Sequence, residues 1–221
     1  MMKILFFGYK ECPYSSDACN YLKQLDCEVT SIFSNSRKDK IPEEIFSWEG
    51  DYIISFLNYL ILPPRLINKA RYAINFHPAS PEHPGSGVSN WAIYNGSTEY
   101  GATAHLINEK VDNGQILLVK RFNITSTDDA TTLLIRAKHY CMILFYELIE
   151  KLFIKNVTVD SLIKSNCEEW LGKAKKIKEV DKMSEIPTDI DSQELEKRIK
   201  AFHTKKFPIY TLLHGRKFIY V

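Results

Sequence analysis

Residues 74–118 contain an amide, an imidazole and a carboxylate, Asn75, His77 and Asp112, whose types suit acyl transfer to an amine. That reaction needs a proton removed from the attacking nitrogen, an oxyanion stabilised and the leaving nitrogen protonated. A histidine moves protons near neutral pH because its unperturbed pKa lies there, so His77 is the candidate acid–base group. A carboxylate beside it favours the charged imidazole and can order a water for relay, a role open to Asp112. Asn75 offers an uncharged N–H donor, which steadies a developing oxyanion without neutralising the base. Taken singly, His77 reads as a structural histidine and Asp112 as a turn residue, since Asp-Asn-Gly sequences favour turns. His105, on an alternating apolar strand, assists catalysis, orients the adjoining loop or is simply hydrogen-bonded in the interior. The spacing of His77, His83, His105 and Asp112 fits no compact ligand motif, so no metal is expected.

The elements that must carry these residues alternate strand and helix. Residues 3–7 read as a buried strand ended by Gly8, residues 15–25 as a helix, and 29–33 as a second strand. Residues 52–56 form a third strand, 64–70 a short helix with Pro in its first turn, and 72–76 a fourth strand. This is the pattern of an open α/β sheet, parallel in its first part. Ligand sites in such sheets lie at the carboxyl ends of the strands, where Asn75 and His77 emerge. A helix can start at Val88, and residues 102–107 and 115–122 read as a strand pair joined by a loop holding Asp112. The longest helix is expected over 128–153, capped by Thr127 or Asp128, with Leu134, Ala137, Cys141, Leu144, Leu148 and Leu152 on one face. Beyond it come a solvated lysine-rich stretch at 173–182, a helix at 192–202 and two short strands around His214-Gly215.

With 45% hydrophobic and 25% charged residues among 221, the chain has the composition of a globular protein with a substantial core. A formal net charge of +2 is too small to point to nucleic acid, which makes small-molecule chemistry the default. Five cysteines without a Cys-x-x-Cys pair suggest reduced thiols. The apolar run at 4–7 is too short for a secretory signal, and 53–62 falls short of a membrane span, so a cytoplasmic protein is expected. Gly8 stands outside any Gly-x-Gly-x-x-Gly fingerprint, which argues against a nicotinamide dehydrogenase.

Four motifs stand in order: Asn-x-His-Pro from Asn75, the Gly-rich link 84–87, Thr103-Ala104-His105, and Val111-Asp112-Asn113-Gly114. Together they resemble the folate-dependent formyltransferases. The resemblance implies a formyltransferase-type, Rossmann-like α/β fold with a mostly parallel open sheet. It divides the chain into a catalytic domain at 1–155 and a small C-terminal α+β extension at 156–221. It also implies a catalytic triad of Asn75, His77 and Asp112, with N10-formyltetrahydrofolate as co-substrate and no metal. The pterin would lie between two loops, contacting Asn58, Tyr59, Leu60, Ile61 and Leu62 on one side and Ile107 and Asn108 on the other.

The chain's length and the Asn90-Trp91 pair look like the bacterial sugar-nucleotide N-formyltransferases, of the kind acting on dTDP-4-amino-4,6-dideoxyglucose. That resemblance implies formylation of a nucleotide-linked dideoxy-amino sugar, foremost a dTDP sugar, for surface polysaccharide or O-antigen. It assigns substrate contacts to Ser80, Gly85, Gly87, Asn90, Trp91 and Arg198, the last in segment 198–208. Neither nucleic acid nor membrane is an expected partner, whereas a homodimer is possible through the C-terminal strands. The alternatives are a phosphoribosylglycinamide formyltransferase, a formyltetrahydrofolate hydrolase, and a non-catalytic folate- or nucleotide-sensing module.

Overall fold

A computed structural model describes residues 1–204 and 207–220; Lys205 and Lys206, within the segment expected to meet the nucleotide, lie outside the described residues. Six strands form the main sheet: β1 (Met2–Tyr9), β2 (Cys27–Ser34), β3 (Gly50–Phe56), β4 (Ala70–His77), β5 (Glu99–Leu106) and β6 (Ile116–Asn123). Their order is β2-β1-β3-β4-β5-β6. The first four run parallel, β5 is antiparallel to β4, and β6 is antiparallel to β5. Each parallel crossover carries a helix or turn: α1 (Pro13–Gln24), a 3-10 turn (Glu43–Ser47) and α2 (Pro64–Ile67). Helix α3 (Val88–Tyr94) leaves the Gly-rich link.

The near-continuous apolar run of β1 is explained by burial on both faces, as expected of a central parallel strand. Ile4 and Phe6 join Ile54, Phe56, Ile74 and Phe76 beneath the long helix α4 (Ala130–Ile149), while Leu5 and Phe7 pack with Ile53, Leu66 and Ala73 on the other face. Phe56, Phe76 and Phe145 meet with ring centroids 5.3–5.5 Å apart. Full burial of each such ring contributes roughly 1.5–3 kcal/mol.

Helix α4 begins later than its periodicity suggests. Asp129 is the cap, accepting the Thr131 and Thr132 N–H groups while Thr132 closes a reciprocal capping box. Asp128, the expected cap, instead accepts the Thr125 N–H and pairs with Arg136. The helix ends in a π turn at Glu150–Ile154.

The region after α4 holds more regular structure than its lysine content suggests. Helix α5 (Val159–Ser165) puts Val159 and Leu162 into the main core. Helix α6 (Ile177–Ser184) turns Val180 and Met183 inward, so the lysine-rich stretch is solvated on one side only. Helix α7 (Ser192–Phe202) docks on α3 through Phe202, which meets Trp91 at 5.2 Å. Strands β7 (Tyr210–Leu213) and β8 (Arg216–Ile219) close the chain as a hairpin. His214 and Gly215 both take positive φ at its turn, as a tight two-residue hairpin turn requires. No helix among the described residues is long and apolar enough to cross a membrane.

Candidate active site

Asn75 and His77 stand two residues apart near the end of β4, so their side chains share one face of the sheet. The antiparallel register with β5 puts His105 directly opposite Asn75, and Thr103 opposite His77. A register shift between β5 and β6 at Ala104/His105 breaks the regular ladder beside these residues, a place where bulges often re-aim a side chain. The Asn75 amide Nδ2 donates to His105 Nε2 at 3.1 Å, and His105 Nδ1 donates to the Leu106 carbonyl at 2.8 Å. His105 therefore fixes how the Asn75 amide is turned.

The loop after β5 returns Asp112 to the same point. Asp112 has φ +44°, in the left-handed region that aspartate tolerates better than most residues. Gly114 allows the close return: a Cβ there would lie 1.7 Å from the Leu106 carbonyl oxygen. Asp112 Oδ2 accepts the Gly85 N–H at 2.8 Å and faces His77 Nδ1 at 3.4 Å, while Oδ1 faces His105 Nε2 at 3.4 Å. His77 Nε2 donates to the His83 carbonyl at 3.0 Å, which leaves Nδ1, the nitrogen facing Asp112, as the one that can take up a proton.

His77, His105 and Asp112 are 5%, 3% and 9% exposed. Burial opposes ionisation of Asp112. The facing His77, the contacts of His105 and the Gly85 N–H outweigh it, and the carboxyl is held down at about 2. The result is a permanent anion between two imidazoles, with an oriented amide beside it. Such a group can accept a proton on His77 Nδ1, stabilise the resulting charge and present a neutral donor to a developing oxyanion.

Of the loops expected to hold the pterin, the first follows β3 and the second follows the antiparallel β5. Asn58 braces the first: its side chain accepts the Leu60 N–H at 3.2 Å and donates to the Leu60 carbonyl at 3.0 Å. Tyr59 packs edge-on to Tyr9, and Ile61 is 77% exposed, whereas Leu62 is buried. Ile107 donates its N–H to the Ala73 carbonyl, and Asn108 accepts the Lys110 N–H. Leu60 and Ile107 both pack on the apolar cluster that holds Leu62 and Ala73. Exposed apolar side chains on braced backbone fit a flat heteroaromatic ring.

The residues expected to touch the second substrate divide into two groups. Gly85 lies in the cluster through its N–H, and Gly87 caps α3 at φ +68°. Ser80 is fully buried. Asn90 and Arg198 also hold the C-terminal elements: Asn90 donates to the Ala201 carbonyl, and Arg198 pairs with Glu194 and donates to the Glu185 carbonyl. Trp91 does both, packing on Phe202 and lining a cleft of about 250 Å³ with Glu82, His83, Lys173 and Lys175. Lys175 Nζ sits 4.9 Å from the Trp91 ring centroid.

Reading the chain in sequence misses two residues of this site, Trp170 and the partner role of His105. The Trp170 ring stands edge-on to His105 at 4.9 Å and to His77 at 5.8 Å, and its Nε1 donates to the Gly114 carbonyl at 2.8 Å. Glu-Glu-Trp in a polar stretch carries no local signal for such a position. His105 does carry one, since it lies on a strand that pairs with the strand of Asn75. Among the described residues no group of three or more His, Cys, Asp or Glu could hold a metal ion.

GDP-perosamine N-formyltransferase of Brucella melitensis is 33% identical over 152 residues, which cover 68% of this chain and 58% of that protein. The chain thus spans less than two thirds of that curated relative. A sugar N-formyltransferase from Shewanella sp. superposes with a TM-score of 0.73 at 20% identity, covering 100% of this chain and 96% of its own. The N-formyltransferase of Helicobacter canadensis, solved with folinic acid and dTDP-3-aminofucose, gives a TM-score of 0.68 at 18% identity, covering 98% and 86%. At these identities the superpositions establish the fold. The signature described as formyl transferase matches residues 16–149, and the chain belongs to that family.

Proposed function

We propose that this chain transfers a formyl group from N10-formyltetrahydrofolate to the amine of a nucleotide-linked amino sugar. The observation that carries the reading is the buried cluster in which Asp112 faces His77 Nδ1 and the Asn75 amide is oriented by His105. The folate supplies the formyl carbon as an electrophile bonded to a nitrogen leaving group. Asn75 directs its amide N–H at the formyl oxygen as that oxygen gains charge. His77 Nδ1 takes a proton from the attacking amine and returns it to the departing nitrogen, so the proton count balances. Asp112 stabilises the imidazolium between those two transfers.

Residues 57–62 and 107–108 would receive the pterin. The Trp91 cleft offers an aromatic face with Lys173 and Lys175 beside it, a combination suited to a nucleoside diphosphate. The name of the Brucella relative supports a GDP sugar, and the ligand of the Helicobacter protein supports a dTDP sugar. On this reading the product is a formylated sugar nucleotide made in the cytoplasm for surface polysaccharide such as O-antigen. A homodimer would form on the β7–β8 hairpin, whose Leu212, Leu213, Phe218 and Ile219 are exposed.

The test is a turnover assay with N10-formyltetrahydrofolate and a panel of dTDP-, UDP- and GDP-linked amino sugars, with phosphoribosylglycinamide and a no-acceptor control. Formylation of one sugar nucleotide supports the reading and identifies the nucleotide. Turnover on phosphoribosylglycinamide alone, formate release without acceptor, or folate binding without turnover would each replace it.

A further inference from the structure

We propose that Trp170 is a positioning residue for Asp112, and that the strap carrying it, residues 166–175, forms a wall of the active site. The inference rests on the formyl-transfer reading. Asp112 is held in place from two sides: its own loop, which closes at Gly114, and the Gly-rich link, whose Gly85 N–H it accepts. The strap grips both. On the first side the Trp170 indole donates to the Gly114 carbonyl at 2.8 Å, and Asn166 Nδ2 donates to the Ile116 carbonyl at 2.9 Å. On the second, Leu171 and Lys175 donate their N–H groups to the Pro81 and Pro84 carbonyls, and the Ser86 N–H donates to the Lys175 carbonyl. Gly85 is pressed so closely on the strap that a Cβ there would lie 2.3 Å from the Lys175 carbonyl oxygen.

Between these grips the strap is anchored by charge. Glu168 takes two hydrogen bonds from Arg121, at 3.0 and 2.7 Å, and the same guanidinium holds Glu82 at the start of the Gly-rich link. The indole lies edge-on to both imidazoles that face Asp112. Its position excludes water from that side of the cluster, which strengthens the attraction between Asp112 and a protonated His77. Trp170 thus acts on the reaction through Asp112, by fixing where the carboxylate sits and what surrounds it.

The experiment compares Trp170→Phe and Trp170→Ala with wild type in the full chain. It measures kcat and KM for both substrates, and amide exchange of peptides covering 82–87 and 108–116. The Phe variant keeps an aromatic ring but loses the Nε1 donor. A carboxylate displaced by about 1 Å costs on the order of a hundredfold in rate. The expected result for Trp170→Ala is therefore a 10- to 100-fold loss of kcat with both KM values within about threefold of wild type, Phe falling between. Exchange should quicken in both peptides and stay unchanged in β1 and β3. A kcat within about twofold of wild type would overturn the proposal, as would a rise in acceptor KM matching the loss of kcat, which would make Trp170 a substrate contact. If wild type transfers no formyl group, the functional reading fails by itself; exchange then decides the strap, quickening of both peptides supporting it and no change overturning it.

Discussion

Asp112→Asn offers the sharpest perturbation of the cluster, because it removes a charge while keeping shape. An asparagine oxygen at the Oδ2 position still accepts the Gly85 N–H, which leaves its amide nitrogen at the Oδ1 position facing His105 Nε2. What is lost is the anion that faces the imidazole at 3.4 Å. At that distance and an effective dielectric near 20, the attraction of a carboxylate for an imidazolium is about 5 kcal/mol before desolvation is subtracted. If about three fifths to four fifths of it survives, the barrier rises by roughly 3–4 kcal/mol, a loss of two to three decades in kcat. The assay is steady-state formylation with the preferred sugar nucleotide, backed by single-turnover measurements so that product release does not mask the chemical step. Substrate affinity should change little, since Asp112 is nearly buried and its partners are protein groups. A variant that retained kcat within about fivefold of wild type would refute the argument, because no distribution of this geometry makes the anion dispensable.

Further expectations follow from the same structure. The Asp112 carboxyl falls from 3.8 to about 2 on folding, so it contributes about 2 kcal/mol of stability that is fully present above pH 4 and is lost as pH falls through about 2. Urea melts at successive pH values should show this acid loss in wild type and lack it in Asp112→Asn; parallel curves would contradict it. Gly114→Ala must move either the Asp112 loop or the Leu106 carbonyl and should cost about 1–3 kcal/mol, together with most of the turnover. An unchanged melting temperature and rate would show that the loop yields freely. Arg121→Met leaves Glu82, Glu99 and Glu168 facing one another without their shared cation. It should destabilise by about 2 kcal/mol at low ionic strength and by less in about 0.5 M salt, since added ions screen the repulsion. A loss that grows with salt would point to packing instead.

Much of the fold is legible in local pattern. The strands of the first half announce themselves by apolar runs, two of them ended by Gly8 and Pro78, and α4 by its apolar stripe, because burial on one or both faces imposes a short repeat. Its true cap was harder to read. Thr127, Asp128 and Asp129 are all capping types in a row, and only the Arg136 partner of Asp128 settles which one turns inward. Helices α5 and α6 were obscured by lysines, whose heads stay in water while Val159, Leu162 and Val180 between them are packed.

The sequence by itself determined the chemistry on offer. Asn75 and His77 share a strand face at two-residue spacing, and the Asp112-Asn113-Gly114 turn puts a carboxylate on a loop beside that strand. Both are short-range facts, set by backbone geometry. The tertiary structure alone decided which groups complete them. His105 meets Asn75 through the β4–β5 register, and Gly85 reaches Asp112 because its backbone is pressed against Lys175. Trp170 arrives from beyond α4 to stand against both histidines, and Asn90 and Arg198 find partners on and around α7. Such contacts depend on strand register and on how whole elements pack, and neither leaves a periodic trace in the residues that make them.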